Sequence, residues 1–311
     1  MPRAHHADPR PIGAIRALAA AMLASTLTAC GGIMAGDDRG SPAMMPVPTT
    51  TTMDTLRYPL ANFQLTPRQE AQQEYLNQRL ERDCMRRFGF DFLPGLRDQT
   101  DQAVAISAEF ASRRYGITDP ALAARFGYRL STATGGPGAP QSVNDLPRPA
   151  LAALTGRAGA PADTPVGGCA GAAARALGIS DRSSTGAQTV TGIGRTAFTS
   201  AQADPKVRAA FTAWARCMAD QDHPYTDPYQ AAADPRWQDG AAPSDLQLAV
   251  ARVDLDCKAA TNLVGIAFAV EAGYQVTGIS HNARALERVR ADLATQVQRL
   301  TTLLREHPPE R

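Results

Sequence analysis

Four cysteines constrain how this 311-residue chain can fold, because each lies in a stretch with helical character. Cys84 follows Leu80 by four residues, which places it on the apolar face of a predicted helix. Cys217 and Cys257 occupy similar patterns, and Cys169 begins an alanine-rich helix. We therefore expect these thiols to face the interior, where two helices could be joined through each pair.

The first thirty residues resemble a bacterial lipoprotein signal peptide. Three arginines precede a thirteen-residue apolar run over residues 17–29, which ends in the motif Leu27-Thr28-Ala29-Cys30. Such a run is too short to span a hydrocarbon core of about 30 Å. The resemblance implies that residues 1–29 are cleaved and that Cys30 is acylated, for example with palmitate. A chance cysteine after an ordinary secretory signal is the alternative.

Export to an oxidising compartment would favour disulfides among the four remaining cysteines. Three pairings are possible. A metal site is a poor alternative, because there is no C-x-x-C motif and only His223 follows a cysteine closely.

Composition narrows the function further. Hydrophobic residues make up 44% of the chain, enough for a core, and the net charge is only +2. That balance argues against nucleic acid as a partner.

The pattern along the chain predicts an all-α fold. We expect a lipidated flexible tether over residues 30–57, an irregular helical domain over 58–306 and a short tail over 307–311. Within the domain, residues 131–168 are rich in Gly, Pro and Ala and predict a largely flexible loop.

Helix-start signals place the main helices. They follow Thr66, Asp119, Asp204 and Ser244, each before a helical apolar pattern. Further helices are predicted over residues 104–115, 149–155 and 169–177. Gly192-Ile193-Gly194 lacks the context of a nucleotide-binding loop.

The C-terminal third predicts a long helix or a helical hairpin. Two apolar stripes run from Leu246 to Ala267 and from Leu286 to Leu304, with a bend expected over Gly273–Gly278. The second stripe could pack on its own chain or form a coiled coil with a partner; we favour the first, since monomers usually bury such a stripe.

The chain also contains a degenerate internal duplication. Cys84-Met85 and Cys217-Met218 both end a helix and are both followed, eight residues after the cysteine, by an aromatic residue. Pairing each of these helices with the next alanine-rich helix predicts the disulfides Cys84–Cys169 and Cys217–Cys257.

No catalytic motif stands out. Asp220, Asp222, His223 and Asp227 form an acidic cluster, but nearby prolines indicate a turn in which carboxylates bond the local backbone. Asp254 and Asp256 are two residues apart on a helix and so do not form a carboxylate pair. We therefore assign no catalytic residue, no metal ligand and no cofactor.

Taken together, the signal, the tether, the stretch from Cys84 to Phe90, Arg114-Tyr115-Gly116 and the stretch from Trp214 to Met218 with Asp254 to Cys257 are similar to secreted actinobacterial lipoproteins of unassigned function. The resemblance covers most of the mature chain. It implies a lipid-anchored, helical, disulfide-bonded protein and no particular activity.

Two functions follow as hypotheses. The first is a lipid-anchored, extracytoplasmic module at the cell membrane that binds an envelope protein or a cell-wall component without catalysis. The alternative is a hydrolase-like enzyme, which would require a deep pocket where His223 or His281 meets a carboxylate.

Overall fold

The computed structural model describes residues 42–131, 145–179, 185–238, 240 and 242–308. The predicted signal peptide and Cys30 lie outside these ranges. Within them the chain is all-helical and forms no β-strand, as the sequence predicts. Helical structure extends from Pro59 to Glu306.

The α-helices of the described ranges are numbered here in chain order. They are α1 (Pro67–Arg87), α2 (Thr100–Ser112), α3 (Pro120–Phe126), α4 (Arg148–Thr155), α5 (Gly168–Leu177), α6 (Thr185–Ala203), α7 (Pro205–Ala219), α8 (Pro228–Ala232), α9 (Asp245–Thr261), α10 (Leu263–His281) and α11 (Ala283–Glu306). Short 3-10 helices cover Pro59–Phe63 and Pro235–Gln238.

Side-chain caps determine where the main helices begin. Thr66 forms a capping box with Gln69 at the start of α1. Asp119, Asp204 and Ser244 accept hydrogen bonds from first-turn amides of α3, α7 and α9. Each cap contributes about 1 kcal/mol, because it satisfies amides that have no partner within the helix. The sequence predicted all four starts.

Two disulfides join pairs of helices. Cys84 of α1 bonds Cys169 of α5, and Cys217 of α7 bonds Cys257 of α9, each with its Cα atoms 5.6 Å apart. This is the pairing that the internal duplication predicted. The first disulfide lies in an apolar cluster of α1, α4 and α5, and the second borders the main core around the fully buried Trp214.

The two Cys-Met helices also end with the same backbone geometry. The Met85 carbonyl accepts a hydrogen bond from the amide five residues later at 3.1 Å, and the Met218 carbonyl does the same at 2.9 Å. Four residues after each methionine, the backbone is left-handed, at Gly89 (φ +78°) and Asp222 (φ +63°). Both helix ends therefore follow the Schellman pattern, which gives the predicted duplication a shared local structure.

The C-terminal third contains three helices, so the expected bend at Gly273–Gly278 is wrong. The breaks fall at Asn262, which is left-handed (φ +48°), and at Asn282. Both glycines lie inside α10. A Cβ at Gly273 would lie 2.7 Å from the Ala43 carbonyl, and a Cβ at Gly278 would lie 2.7 Å from the Ile193 side chain of α6. Each glycine therefore allows a neighbouring segment to pack closely against α10.

The last helix, α11, packs on its own chain. Leu286 and Leu300 are almost fully buried, and the helix lies against α1, α5 and α6. The structure therefore agrees with the favoured reading of the second apolar stripe. Of the two predicted forms of the C-terminal third, the structure has the long helix, the 24-residue α11, which lies mainly against earlier helices of the chain and less against α10.

One helix was not predicted, and one segment is more ordered than its composition predicted. Helix α6 contains Gly192-Ile193-Gly194 and many threonines, which are weak helix formers, yet it packs along α10. In the predicted flexible loop over 131–168, residues 132–144 lie outside the described residues. Residues 145–168 form α4 and tight turns, and Leu146 and Leu154 are buried there.

Part of the segment predicted to be a flexible tether also packs on the helical body. Residues 43–52, here called the strap, run along α10 in the opposite direction. The Met45 amide donates to the Ala269 carbonyl at 3.2 Å. The Asn262 side chain donates to the Pro48 carbonyl at 3.0 Å and accepts from the Thr50 amide at 3.3 Å. The strap is therefore part of the folded body.

Among the described helices, only α10 is long and apolar enough to cross a membrane by length and composition. In this fold it is the central core helix: 56% of the apolar window is buried inside the protein. It also carries the buried, charged Glu271. Its apolar character is explained by its position in the core.

Candidate functional site

Within the described residues, the strongest polar feature is a pair of buried clusters joined by the segment Arg114–Ile117. This segment follows α2 and turns at Gly116, whose φ is +76°. A Cβ there would lie 2.9 Å from the Lys258 Nζ atom and 3.0 Å from Pro228. Only glycine therefore allows the segment to pass between α8 and α9.

The first cluster surrounds Glu271, which is fully buried on α10. The Arg114 Nε atom donates to the two carboxylate oxygens at 3.1 and 2.9 Å, and its Nη2 atom also donates to Glu271. The Tyr115 hydroxyl donates at 2.6 Å and the Gln275 amide at 3.2 Å. The Tyr58 hydroxyl lies 2.6 Å from the Tyr115 hydroxyl and 3.2 Å from Glu271, so its single proton is shared between them. Four donor groups thus converge on one carboxylate, with Tyr58 beside them.

The Arg114 side chain is held from both sides. Its guanidinium carbon lies 5.2 Å from the centre of the Tyr58 ring and 4.7 Å from that of Phe198. Its backbone carbonyl accepts from the Tyr229 hydroxyl at 3.0 Å, which in turn accepts from Gln202 at 2.7 Å. The arginine therefore ties the start of the body, α6, α8 and α10 together.

Electrostatics favour the donor forms of Arg114 and of the two tyrosines. Burial acts to lower the pKa of Arg114, but the hydrogen bonds and charge of Glu271 outweigh it and raise the pKa. Burial, and then the neighbouring carboxylate, raise the pKa of Tyr58. Burial also raises the pKa of Tyr115 well above its ordinary value. Both hydroxyls therefore remain protonated and act as donors.

The second cluster surrounds Asp254, fully buried on α9. Its carboxylate accepts from Trp214 Nε1 at 2.8 Å, from Lys258 Nζ at 2.9 Å and from the Tyr128 hydroxyl at 3.2 Å. Lys258 is also fully buried and donates to the Ile117 carbonyl at 2.7 Å. Burial raises the pKa of Asp254 and lowers that of Lys258, because desolvation disfavours both charges.

These carboxylates hold the fold together and have little capacity for a ligand. An ionised carboxylate accepts about four hydrogen bonds, and Glu271 already receives bonds from Nε and Nη2 of Arg114, from Tyr115 and from Gln275. Asp254 has three partners and no exposed surface. A substrate could reach either group only after the surrounding helices separated.

The predicted acidic cluster after α7 is a turn. Asp220 lies at the C-terminal end of α7, Asp222 adopts the left-handed conformation, and Asp227 accepts bonds from two amides that begin α8. In the part of the chain that the structure describes, no group of three or more His, Cys, Asp and Glu side chains could hold a metal ion.

The histidines do not form the site that the hydrolase hypothesis requires. His281 lies at the end of α10, in a groove of about 430 Å³ whose other lining residues include Thr189, Thr196 and Thr277. His223 lies in the turn after α7. Across the described ranges, neither ring bonds a carboxylate.

The larger groove, of about 530 Å³, lies between the end of the strap, α3 and α9. Its lining is mostly small and apolar, with Arg252 and Asp256 as the charged exceptions. Asp256 lies on the exposed side of α9, whereas Asp254 faces the core, as expected for residues two apart on a helix.

The ion pairs at the centre of the two clusters were not predicted, although the sequence contains signals for them. Glu271 is the only Asp, Glu, Lys or Arg between Lys258 and Arg284, and a lone carboxylate in an apolar helix is expected to be buried with a partner. Asp254 and Lys258 have the four-residue spacing of a helical ion pair. Nothing in the sequence, however, identifies Arg114 as the partner of Glu271.

Comparison of the chain with protein-family models, with curated proteins and with solved structures finds no match.

Proposed function

We propose that this protein is a lipid-anchored module on the extracytoplasmic face of the cell membrane, where it binds an envelope protein or a cell-wall component. The observation that carries the proposal is the pairing of all four cysteines of the helical body. Disulfides persist in oxidising compartments and are rare where thiols are kept reduced.

The anchor is supported by the resemblance of Leu27-Thr28-Ala29-Cys30 to a lipoprotein processing site. One acyl chain binds a membrane only marginally, whereas two or three attach a protein stably. Cleavage before Cys30 followed by acylation would therefore place the body outside the cell, on the membrane.

Binding is favoured over catalysis by the state of the polar groups. The two buried carboxylates are committed to hydrogen bonds within the protein. The two grooves described above are lined mainly by small and hydroxyl-bearing residues, with Arg252, Asp256 and His281 among their titratable members. Such surfaces suit contact with a partner molecule.

Lipidation is tested by labelling cells with an alkyne-bearing fatty acid and comparing wild type with Cys30→Ser. The serine variant keeps nearly the same size but has no thiol to acylate. We expect label and membrane partitioning for the wild type alone. Equal labelling of the two proteins would contradict the anchor.

Binding is tested by placing a photo-crosslinking residue at Arg252, in the larger groove, in cells that carry the lipidated protein. The matched control has the same group at Val166, which is exposed elsewhere. A discrete crosslinked product specific to the groove would support a partner. Identical patterns at the two positions would count against this surface.

A further inference from the structure

The strap presents its apolar side chains to solvent. Met44, Met45 and Val47 are 38%, 40% and 38% exposed. Their backbone lies directly on α10, where a Cβ at Gly265 would be 1.9 Å from the Pro48 carbonyl. A Cβ at Gly273 would be 2.7 Å from the Ala43 carbonyl. Because the backbone fills the space next to the helix, these side chains remain at the surface.

The same face continues on α10. The strap follows a helical stripe made of Asn262, Gly265, Ala269 and Gly273. Val276 lies on this stripe, less than one turn beyond Gly273, and is 44% exposed. The other large exposed apolar residues of the described body, such as Phe110 and Val166, belong to separate elements. The apolar face therefore comprises Met44, Met45, Val47 and Val276.

The number of residues between Cys30 and the strap limits how far the apolar face can lie from the proposed anchor. Twelve residue steps separate Cys30 from Pro42, and a fully extended chain of that length reaches about 40 Å. The anchor therefore confines the start of the strap to the neighbourhood of the bilayer. Among the surfaces of the body, the one beginning at the strap is attached to the anchor through the shortest stretch of chain.

We propose that this apolar face rests on the lipid bilayer, so that the strap fixes the orientation of the body on the membrane as well as connecting it to the anchor. This inference rests on the lipid anchor of the proposed function. The thioether and aliphatic side chains of the face suit the boundary between headgroups and acyl chains.

The test uses the full lipidated protein in vesicles that contain phosphatidylcholine with brominated acyl chains, which quench nearby tryptophan. Met44→Trp places the probe on the apolar face, and Val166→Trp places it at a position where the native residue is 85% exposed. The native Trp214 and Trp237 are buried and give the background for both variants. Circular dichroism confirms that each variant is folded.

We expect the added tryptophan of Met44→Trp to lose emission in brominated vesicles relative to ordinary ones, and that of Val166→Trp to keep it. If the protein sediments with the vesicles and neither probe is quenched, the anchor holds and the membrane-facing orientation is overturned. Equal quenching of both probes also overturns it, as does oligomerisation that shields Met44. If the protein does not sediment with vesicles, the anchor fails, and with it the orientation that depends on it.

Discussion

Replacing Lys258 with methionine should destabilise the protein strongly, because it leaves Asp254 buried without its cation. Methionine keeps the length and apolar stem of the side chain while removing the ammonium group. Trp214 and Tyr128 would still donate to Asp254, but no positive charge would offset the desolvation of the carboxylate. The Ile117 carbonyl would lose its donor as well.

The expected cost is about 3–5 kcal/mol, the range for removing one partner of a buried ion pair. Both side chains are fully buried, so the much smaller cost of a surface pair does not apply. For a body of this size the melting temperature should fall by about 10 °C. Urea unfolding followed by circular dichroism, with thermal melts in parallel, measures the difference.

The control is the double variant Asp254→Asn with Lys258→Met. Asparagine keeps the shape of the side chain and an oxygen for the Trp214 N–H, but carries no charge. We expect the double variant to be more stable than Lys258→Met alone, since no charge is left unpaired.

The pH dependence provides a second check. Burial raises the pKa of Asp254, so its ionised form is the unfavourable one in the folded state. A carboxyl whose pKa is raised in the folded state contributes stability at low pH, and this stability is lost as the pH rises through the raised pKa. The loss of unfolding free energy caused by Lys258→Met should therefore become smaller as the pH falls. A cost below about 1 kcal/mol, or a double variant less stable than the single one, would refute the reasoning.

Three further predictions follow from the same structure. Removing either disulfide by a double Cys→Ser substitution should cost about 4 kcal/mol in the chain-entropy model, measured by thermal unfolding, and unchanged melting would contradict this. Gly265→Ala should accelerate hydrogen exchange of the Thr50 amide, because the new Cβ would displace the strap. The control Gly192→Ala, where a Cβ meets open space, should stabilise α6 by about 0.5–1 kcal/mol. If both variants changed exchange at Thr50 and stability alike, the strap would not be packed on α10. Burial acts to raise the pKa of Glu109, but hydrogen bonds from Ser131 and Arg113 outweigh it and lower the pKa. Stability from this carboxylate is present above its ordinary pKa of about 4.3 and should be lost as the pH falls through the lowered value, and Glu109→Gln should weaken that acid dependence in urea titrations.

Local chemistry made several features predictable. The caps at Thr66, Asp119, Asp204 and Ser244 each depend on a side chain and the amides two or three residues later, so a short window of sequence contains the whole interaction. The disulfide pairing followed from a repeated local pattern.

Residues far apart decided what the sequence did not predict. Helix α6 is poor in strong helix formers, and α10 supplies the packing that it lacks. The free-energy cost of glycine inside a helix suggested a bend at Gly273. A helix tolerates glycine, however, where another backbone must approach closely, as the strap does at this position.

The sequence by itself determined the helical class, most helix starts and the cysteines available for cross-linking, because these depend on periodicity and on neighbouring residues. Only the tertiary structure decided that Arg114 pairs with Glu271 across 157 positions and that residues 43–52 lie on α10. The physical reason is that a buried charge must find its partner in space. Many arginines of the chain could form an ion pair with Glu271. The packing of the helices decides that it is Arg114, whose backbone passes beside this glutamate.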